Sequence, residues 1–238
     1  MHGPRRWIVA LWAFAGACGA AVCRADGFGG VVGIASDEVF RGLTQSDNQA
    51  SPQLDLHYSL SHWYAGLSAV GVRRGADKSP GVGLIAYLGY QRRFDDDWGA
   101  SVALRHYDYP GYELRDFYNY EEAALSVSWR DLIVATVMAS PNVYFIDLYG
   151  HNGRGAAYTY ELGGRYPLAQ GFSFNAGAGF YDLSRQIGTG YAYWSAGISK
   201  QWRSLNFDVR YVGTDSTAKQ HFEHFAENRA VLSALWLF

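Results

Sequence analysis

A set of charged residues stands in stretches where apolar and small polar residues otherwise alternate, and these residues could do chemistry. An arginine guanidinium can bind a carboxylate or phosphate through two hydrogen bonds, and an acidic side chain can pair with a cation. The set could therefore guide a charged solute, or its members could pair with one another in a static network, and both interpretations stay open. The candidate residues are Asp37, Arg41, Asp55, Arg105, Glu161, Arg165, Asp208 and Arg210.

Histidines with serines elsewhere in the chain raise the alternative of hydrolysis. The candidates for a general base are His57, His106 and His151. No nucleophile motif surrounds them, and an isolated histidine is more often structural than catalytic. We therefore predict that the protein is not an enzyme and has no catalytic residues.

Two clusters have residue types that bind metal ions. HFEHFAE (221–227) contains His221, Glu223 and His224, and DDD (95–97) contains three carboxylates. A metal site needs ligands that converge on one point, whereas both clusters lie in polar connections. We predict no metal and no cofactor.

The N-terminus has the features of an export signal. Basic MHGPRR precedes the uncharged run WIVALWAFAGACGAAV, and Ala25 provides a small residue for cleavage. We predict a signal peptide at 1–25 and one mature domain at 26–238. A lipoprotein signal using Cys18 or Cys23 is the alternative, but Ala15 and Ala20 stand where such signals usually have leucine.

The composition after the signal narrows the class of protein. Both cysteines lie in the signal, so the mature chain has no disulfide or thiolate metal site. The signal holds three of the 20 basic residues and none of the 22 acidic ones, which leaves a mature net charge of −5 and argues against a nucleic-acid partner. No later apolar run approaches the roughly 20 residues of a spanning helix. An exported β-domain or an outer-membrane barrel remains.

Alternation with a period of two predicts an all-β chain. In AYTYELGGRY, Tyr158 and Tyr160 lie on one face, and Thr159 and Glu161 lie on the other. About twelve strands are predicted, an even number as in bacterial barrels. They are residues 28–42, 52–61, 63–73, 81–93, 98–108, 117–129, 131–144, 156–166, 171–183, 190–200, 203–213 and 227–238.

The connections alternate between tight turns and long polar loops, as in a membrane barrel. A soluble sandwich also has alternating strands, so the connections decide between the two. Tryptophans stand at the tight turns and at the chain end, which predicts an aromatic girdle on that rim. These are Trp63, Trp98, Trp129, Trp202 and Trp236. A second girdle is predicted at the loop rim from Tyr107, Tyr109, Tyr112, Tyr118, Tyr144 and Tyr149.

The stretch GIASDEVFRGLTQS, followed by SPQLDLHYSLSHWYAGLSA, a GYQRRF strand and a DYPG loop, resembles the TorF-like porin family (Gcw_chp type) of proteobacterial outer membranes. That family's pattern runs roughly S-x-Y-x-x-R-G-x-S/T-Q, then P-x-x-x-x-x-x-Y-S. Glu38 stands where the family has an aromatic residue. The resemblance implies a barrel and a channel but no particular solute. The matching residues are Ser36, Arg41, Gly42, Thr44, Gln45, Pro52, Tyr58 and Ser59.

We therefore predict a transmembrane, antiparallel, up-and-down β-barrel of about 12 strands in the outer membrane of a Gram-negative bacterium. As a porin it would be a passive channel for small hydrophilic solutes. Its other partners would be outer-membrane lipid and, during biogenesis, the machinery that assembles outer-membrane barrels. The alternatives are a lipid-modifying hydrolase and a closed structural or adhesion barrel.

The first predicted strand carries one charge that this interpretation does not explain. Asp37, Val39 and Arg41 would share its lumen-facing side, whereas Ile34 and Phe40 would face lipid. Glu38 falls on the lipid side by the same alternation, where a carboxylate is costly. It must therefore lie near the rim, follow a β-bulge, or show that the assigned strand phase is wrong.

Overall fold

The computed structural model of the protein describes residues 26–74, 79–111, 118–146 and 152–238. The predicted signal peptide, His151, Tyr112 and Tyr149 lie outside these residues. In chain order the strands are β1 (Gly27–Ala35), β2 (Val39–Phe40), β3 (Leu43–Thr44), β4 (Ser51–Leu60), β5 (Trp63–Arg74), β6 (Ser79–Arg93), β7 (Trp98–Asp108), β8 (Tyr120–Trp129), β9 (Ile133–Ile146), β10 (Asn152–Pro167), β11 (Phe172–Leu183), β12 (Thr189–Trp202), β13 (Leu205–Thr214) and β14 (Arg229–Leu237).

All of these strands except β2 and β3 form one closed antiparallel barrel. Each barrel strand pairs with the next in sequence, and β1 closes the barrel against β14. The prediction of an up-and-down barrel of about twelve strands is confirmed for the described part of the chain. The closing seam is short: the β1–β14 ladder has five residue pairs, from Val31–Leu237 to Ala35–Ser233, whereas β1 and β4 share nine.

The outer face of the barrel is apolar. On β10, Tyr158, Tyr160 and Leu162 are exposed, whereas Thr159 is buried, as the alternation predicts. A continuous exposed apolar band of this kind is rare in water-soluble proteins, but it matches the interior of a bilayer. Exposed members of the band include Leu56, Leu67, Leu88, Leu104, Leu125, Val137, Ile198, Val209 and Leu232.

One rim of the barrel consists of tight turns. Trp63, Trp98, Trp202 and Trp236 are exposed at this rim, so the predicted position of the tryptophan girdle is confirmed for these four residues. The other rim carries the longer connections, with helices α1 (Ser184–Ile187) and α2 (Ser216–Phe222) and a 3-10 turn at Glu223–Ala226. A second 3-10 turn, Ala169–Gly171, lies on the turn rim. None of the helices in the described ranges is long and apolar enough to cross a membrane.

The prediction that tyrosines form a second girdle at the loop rim is wrong for Tyr107 and Tyr109. Tyr107 faces inward on β7 and is 2% exposed, and Tyr109, just after the end of that strand, is 7% exposed. Tyr118 packs edge-on against Tyr109, with ring centroids 5.9 Å apart. At this end of the barrel the tyrosines therefore fill the interior and do not face lipid.

The first strand ends earlier than the sequence predicts. β1 stops at Ala35, and the connection of residues 36–50, called here the first connection, turns back into the barrel and forms the β2–β3 hairpin. Arg41 (φ 50°) and Gly42 (φ 82°) form its two-residue turn, with both residues in the left-handed region as a tight hairpin requires. The prediction that Asp37, Val39 and Arg41 share one face of a barrel strand is therefore wrong.

Candidate functional site in the barrel interior

The β2–β3 hairpin crosses the lumen. In the circular order of twelve strands, β8 and β9 lie opposite β1. Arg41, at the tip of the hairpin, contacts Glu122 on β8 and Met138 on β9. A segment that starts at β1 and reaches this opposite wall spans the whole cross-section of the barrel.

The guanidinium of Arg41 belongs to a buried ion-pair network. Its Nη2 donates to Oε2 of Glu122, and Nη1 of Arg105 donates to Oε1 of the same carboxylate at 3.1 Å. The hydroxyls of Ser140 and Tyr107 each donate to Glu122 as well, at 3.3 Å. The side chains of Arg41, Glu122 and Arg105 are 1%, 0% and 3% exposed, so water has almost no access to the network.

Aromatic rings enclose the Arg41 guanidinium. Its carbon lies 4.5 Å from the ring centroid of Phe40 and 4.3 Å from that of Tyr181. The Tyr191 hydroxyl donates to the Arg41 carbonyl at 3.0 Å, which fixes the backbone of the hairpin turn. Nε and Nη1 of Arg41 are buried without a hydrogen-bond partner in the described residues, so cation–π attraction is their main compensation.

A second ion pair holds the base of the hairpin. Asp37 accepts hydrogen bonds from Thr44 (2.6 Å) and Ser46 (2.7 Å), and it pairs with Nη1 of Arg229 at 2.9 Å. Arg229 also donates to the carbonyls of His224 and Phe225. The first connection is thereby tied to the last connection, residues 215–228 between β13 and β14.

Glu38 lies inside the protein and not on the lipid side. It is 6% exposed, and its Oε2 accepts a hydrogen bond from Gln53 Nε2 at 2.7 Å. Its backbone N–H donates to Ser46 Oγ at 2.9 Å. Of the three explanations for Glu38, the wrong strand phase is the correct one, because Glu38 follows the end of β1 and alternation no longer applies.

The network around Arg41 and the inward tyrosines define what we call the loop half of the lumen. The other half, called the turn half, has small hydroxyl and amide side chains on its wall. Ser126 and Thr136 share a hydrogen bond of 2.9 Å, and Asn175 donates to Ser199 at 2.9 Å. Further small inward residues there are Ser59, Ser101 and Ser173.

Charges in the turn half are better hydrated than those around Arg41. Arg210 Nε donates to Asp208 Oδ1 at 2.6 Å, and the two side chains are 15% and 7% exposed. Asp55 accepts from His57, Ser68 and Tyr87, at 2.8, 2.5 and 2.8 Å.

The last two candidate residues both lie on β10. Glu161 accepts a hydrogen bond from the Tyr193 hydroxyl, and Arg165 donates from Nε and Nη2 to Ser173 Oγ at 3.0 and 2.9 Å. Of the eight predicted residues, the structure therefore joins Arg41 to Arg105 through Glu122, and Asp208 to Arg210. It leaves Arg165 beside a neutral partner.

The histidines do not form a hydrolytic arrangement in the described part of the chain. Ser68 and His57 bind different oxygens of the Asp55 carboxylate, so the acid stands between them and His57 does not reach the serine hydroxyl. His106 pairs with Glu121 on the outer surface at 3.0 Å.

The two candidate metal clusters make structural contacts. Asp95 accepts from the backbone N–H groups of Asp97 and Trp98, and Asp97 pairs with Arg130 at 2.8 Å. The hydrogen bond from Arg130 holds the pKa of Asp97 below its ordinary value. His221 bonds to the Thr217 carbonyl. No three histidine, cysteine or acidic side chains among the described residues are placed to share a metal ion.

Sequence reasoning missed the residue at the centre of the network, Glu122. Two adjacent acids, Glu121 and Glu122, start the strand, so their charges alone do not reveal which one faces inward. The downstream pattern contains the signal: Glu122 is in phase with Ala124 and Ser126, whereas Leu125 and Val127 have the opposite phase and are exposed.

Several solved outer-membrane porins and channels have a similar fold. A NanC porin matches with a TM-score of 0.55 and 11% identity, over 88% of this chain and 97% of the porin. A KdgM porin matches with a TM-score of 0.56 and 9% identity, over 88% and 99%. The COG4313 outer membrane channel from Pseudomonas putida F1 matches with a TM-score of 0.51 and 14% identity, over 91% and 96%. At these identities the likeness is one of fold.

No curated protein sequence matches the chain. A family match is found over residues 23–237, to Gcw_chp, described as "Bacterial protein of unknown function". Because this match covers almost the whole sequence, the chain belongs to the Gcw_chp family.

Proposed function

We propose that the protein is a porin that lets small hydrophilic solutes diffuse passively across the outer membrane of a Gram-negative bacterium. The observation that carries this proposal is the division of the barrel into an apolar outer face and a charged, hydroxyl-rich interior. Charged side chains that face lipid cost several kcal/mol at mid-depth, so a barrel of this kind suits a bilayer with a polar path inside. The porin fold of the similar structures supports the same conclusion.

The membrane position follows from the same division. The tryptophan rim lies at the periplasmic headgroups and the longer connections lie outside the cell, the usual arrangement in bacterial barrels. Lipid is then the partner of the outer face, and the cell's barrel-assembly machinery inserts the chain. Within the Gcw_chp family, the hairpin residues Arg41, Gly42 and Thr44 support assignment to the TorF-like porins.

The β2–β3 hairpin sets the width of the channel. Because Arg41 reaches the opposite wall, solutes pass beside the hairpin and not through a full-width bore. Such a constriction restricts the channel to small solutes.

A closed structural barrel is the second candidate function. The observation that favours it is the nearly complete exclusion of water from Arg41, Glu122 and Arg105, which holds the hairpin in place. A hydrolytic function has no comparable support, because His57 and Ser68 are separated by Asp55, and we propose that the protein is not an enzyme.

Conductance of the refolded barrel in a planar bilayer tests these functions. We compare residues 26–238 with a variant in which a Gly-Ser linker replaces residues 38–46, after the mobility of unheated samples in electrophoresis has established that both fold. The porin gives discrete conductance steps, and the linker variant gives steps at least about twofold larger. Conductance by the linker variant alone would favour the closed barrel, and release of fatty acid from lipid would favour the hydrolase.

A further inference from the structure

The arginines inside the barrel differ in how their charge is balanced. Arg41 and Arg105 share Glu122, and Arg210 pairs with Asp208. Arg229 pairs with Asp37. Arg165 has no acidic partner among the described residues, and its hydrogen bonds go to a serine hydroxyl.

Arg165 lies in the turn half with its side chain directed inward. It has the same strand phase as Thr159, which is 1% exposed, and its register partner on β11 is Asn175. Its Nε and Nη2 both donate to the single oxygen of Ser173, which is itself 2% exposed. Nη1 makes no hydrogen bond in the described structure, and it is not among the polar atoms that are fully buried without a partner.

The wall around Arg165 supplies no compensating charge. Asn175 and Ser199 share a hydrogen bond. Glu161, the nearest inward acid on the strand of Arg165, accepts a hydrogen bond from the Tyr193 hydroxyl. A half-buried cation that has lost part of its hydration and faces neutral groups is unfavourable unless an anion joins it. A guanidinium with a free N–H edge is the group that best binds a carboxylate or phosphate.

We propose that Arg165 is the anion-selecting residue of the channel, and that it binds the carboxylate or phosphate of acidic solutes as they pass through the turn half. This inference rests on the proposed channel function for its biological meaning. The paired arginines cannot take this role, because a solute anion would have to displace Glu122, Asp208 or Asp37. Arg165 requires no such exchange.

Ion selectivity gives the first test. Reversal potentials under a tenfold KCl gradient are measured for the wild type, Arg165→Ala and Arg130→Ala. Arg130 is the matched control, because its guanidinium lies exposed at the turn rim, outside the lumen. We expect Arg165→Ala to lower the chloride-to-potassium permeability ratio by about two- to fivefold, since an unbalanced charge that lines the path shifts the local potential toward anions. Arg130→Ala keeps the wild-type ratio.

Binding of citrate to the detergent-refolded protein, measured by calorimetry, gives a second test that needs no conduction. Arg165→Ala weakens citrate binding at least about fivefold, and Arg130→Ala leaves it unchanged. A wild-type barrel that binds citrate through Arg165 but never conducts would overturn the channel function and keep the anion site. Equal permeability ratios, or equal citrate binding, in Arg165→Ala and the wild type would overturn the anion site whatever the conductance.

Discussion

The loop half and the turn half of the lumen are built from the same twelve strands, yet their interiors are filled in opposite ways. In the loop half, Arg41, Glu122 and Arg105 are at most 3% exposed and rings pack around them. In the turn half, the Asp208–Arg210 pair keeps 7% and 15% exposure among small hydroxyl groups. Strand alternation sets the inward face in both halves, so the difference comes from the connections that pack into the loop half, which are the first connection and helix α2 with the 3-10 turn that follows it.

The strongest way to sharpen this comparison is to remove one carboxylate charge from each half. Glu122→Gln leaves Arg41 and Arg105 buried without an anion, and we expect the free energy of unfolding to fall by about 3–5 kcal/mol. Asp208→Asn, the matched change in the turn half, leaves Arg210 with access to water. We expect the decrease in the free energy of unfolding to be smaller for Asp208→Asn than for Glu122→Gln by at least about 2 kcal/mol. Urea unfolding of the refolded barrels, followed by tryptophan fluorescence, measures both. Equal losses would contradict a difference in hydration between the halves.

A smaller effect separates backbone strain from docking of the hairpin. Gly42 and Gly188 both have φ near 80°, so alanine costs about 1 kcal/mol at either position from the backbone alone. A Cβ on Gly42 would also lie 2.5 Å from Thr214 Cγ2, whereas a Cβ on Gly188 meets nothing within 4 Å. We therefore expect Gly42→Ala to cost about 2–4 kcal/mol in total.

Limited proteolysis gives a readout specific to the hairpin. Trypsin cleaves after arginine, and Arg41 is protected only while the hairpin is docked in the loop half. Gly42→Ala should make this bond sensitive to trypsin, and Gly188→Ala should not. Protection of Arg41 in both variants would mean that the contacts around Gly42 do not hold the hairpin.

The last prediction concerns pH. The pKa of Glu38, in the first connection, is raised to about 7, mainly because the carboxyl is buried. The nearby charge of Asp37 also raises the pKa, whereas the hydrogen bond from Gln53 and the charge of Arg210 oppose the increase. The ordinary value is 4.5, so between about pH 4.5 and pH 7 the folded protein retains a proton that the unfolded chain has released. The free energy of unfolding therefore falls as pH rises through this window.

Glu38→Gln removes this dependence, because the amide does not titrate. Urea midpoints at pH 5 and pH 8 should differ less in Glu38→Gln than in the wild type. Gln53→Leu, which removes the hydrogen bond that lowers the pKa, should extend the decline to higher pH. A wild-type profile unchanged by Glu38→Gln would show that this carboxyl does not titrate in the window.

The barrel could be predicted from the sequence because its signals are local. Alternation within one strand, as in Tyr158 to Leu162, depends only on neighbouring residues and the pleat. The tight turns and the tryptophans beside them, such as Trp63 and Trp98, are likewise read from a few adjacent positions. Errors at strand ends were only a few residues, except at β1.

The hairpin could not be predicted in the same way, because what holds it is distant in sequence. The ion pair between Arg41 and Glu122 joins residues that are 81 positions apart in the sequence. The pair between Asp37 and Arg229 joins residues that are 192 positions apart. The stretch VFRGLT contains a local hint, since Arg-Gly between two short apolar pairs fits a two-residue turn. The tyrosines at this rim are misassigned for a different reason: nearness to the rim does not decide which way a ring points, whereas strand phase does, and Tyr107 shares the inward phase of Arg105.

The short seam between β1 and β14 has a kinetic consequence. Closing it joins the first and last strands of the barrel, which carries the largest loop-closure entropy of any strand pair in the barrel, yet its ladder has only five residue pairs. The Asp37–Arg229 pair and the hydrogen bonds between Ser36 and Leu232 continue the contact beyond that ladder. The first connection therefore also holds β1 against β14, and we expect loss of the Asp37–Arg229 pair to make opening of the barrel at this seam faster.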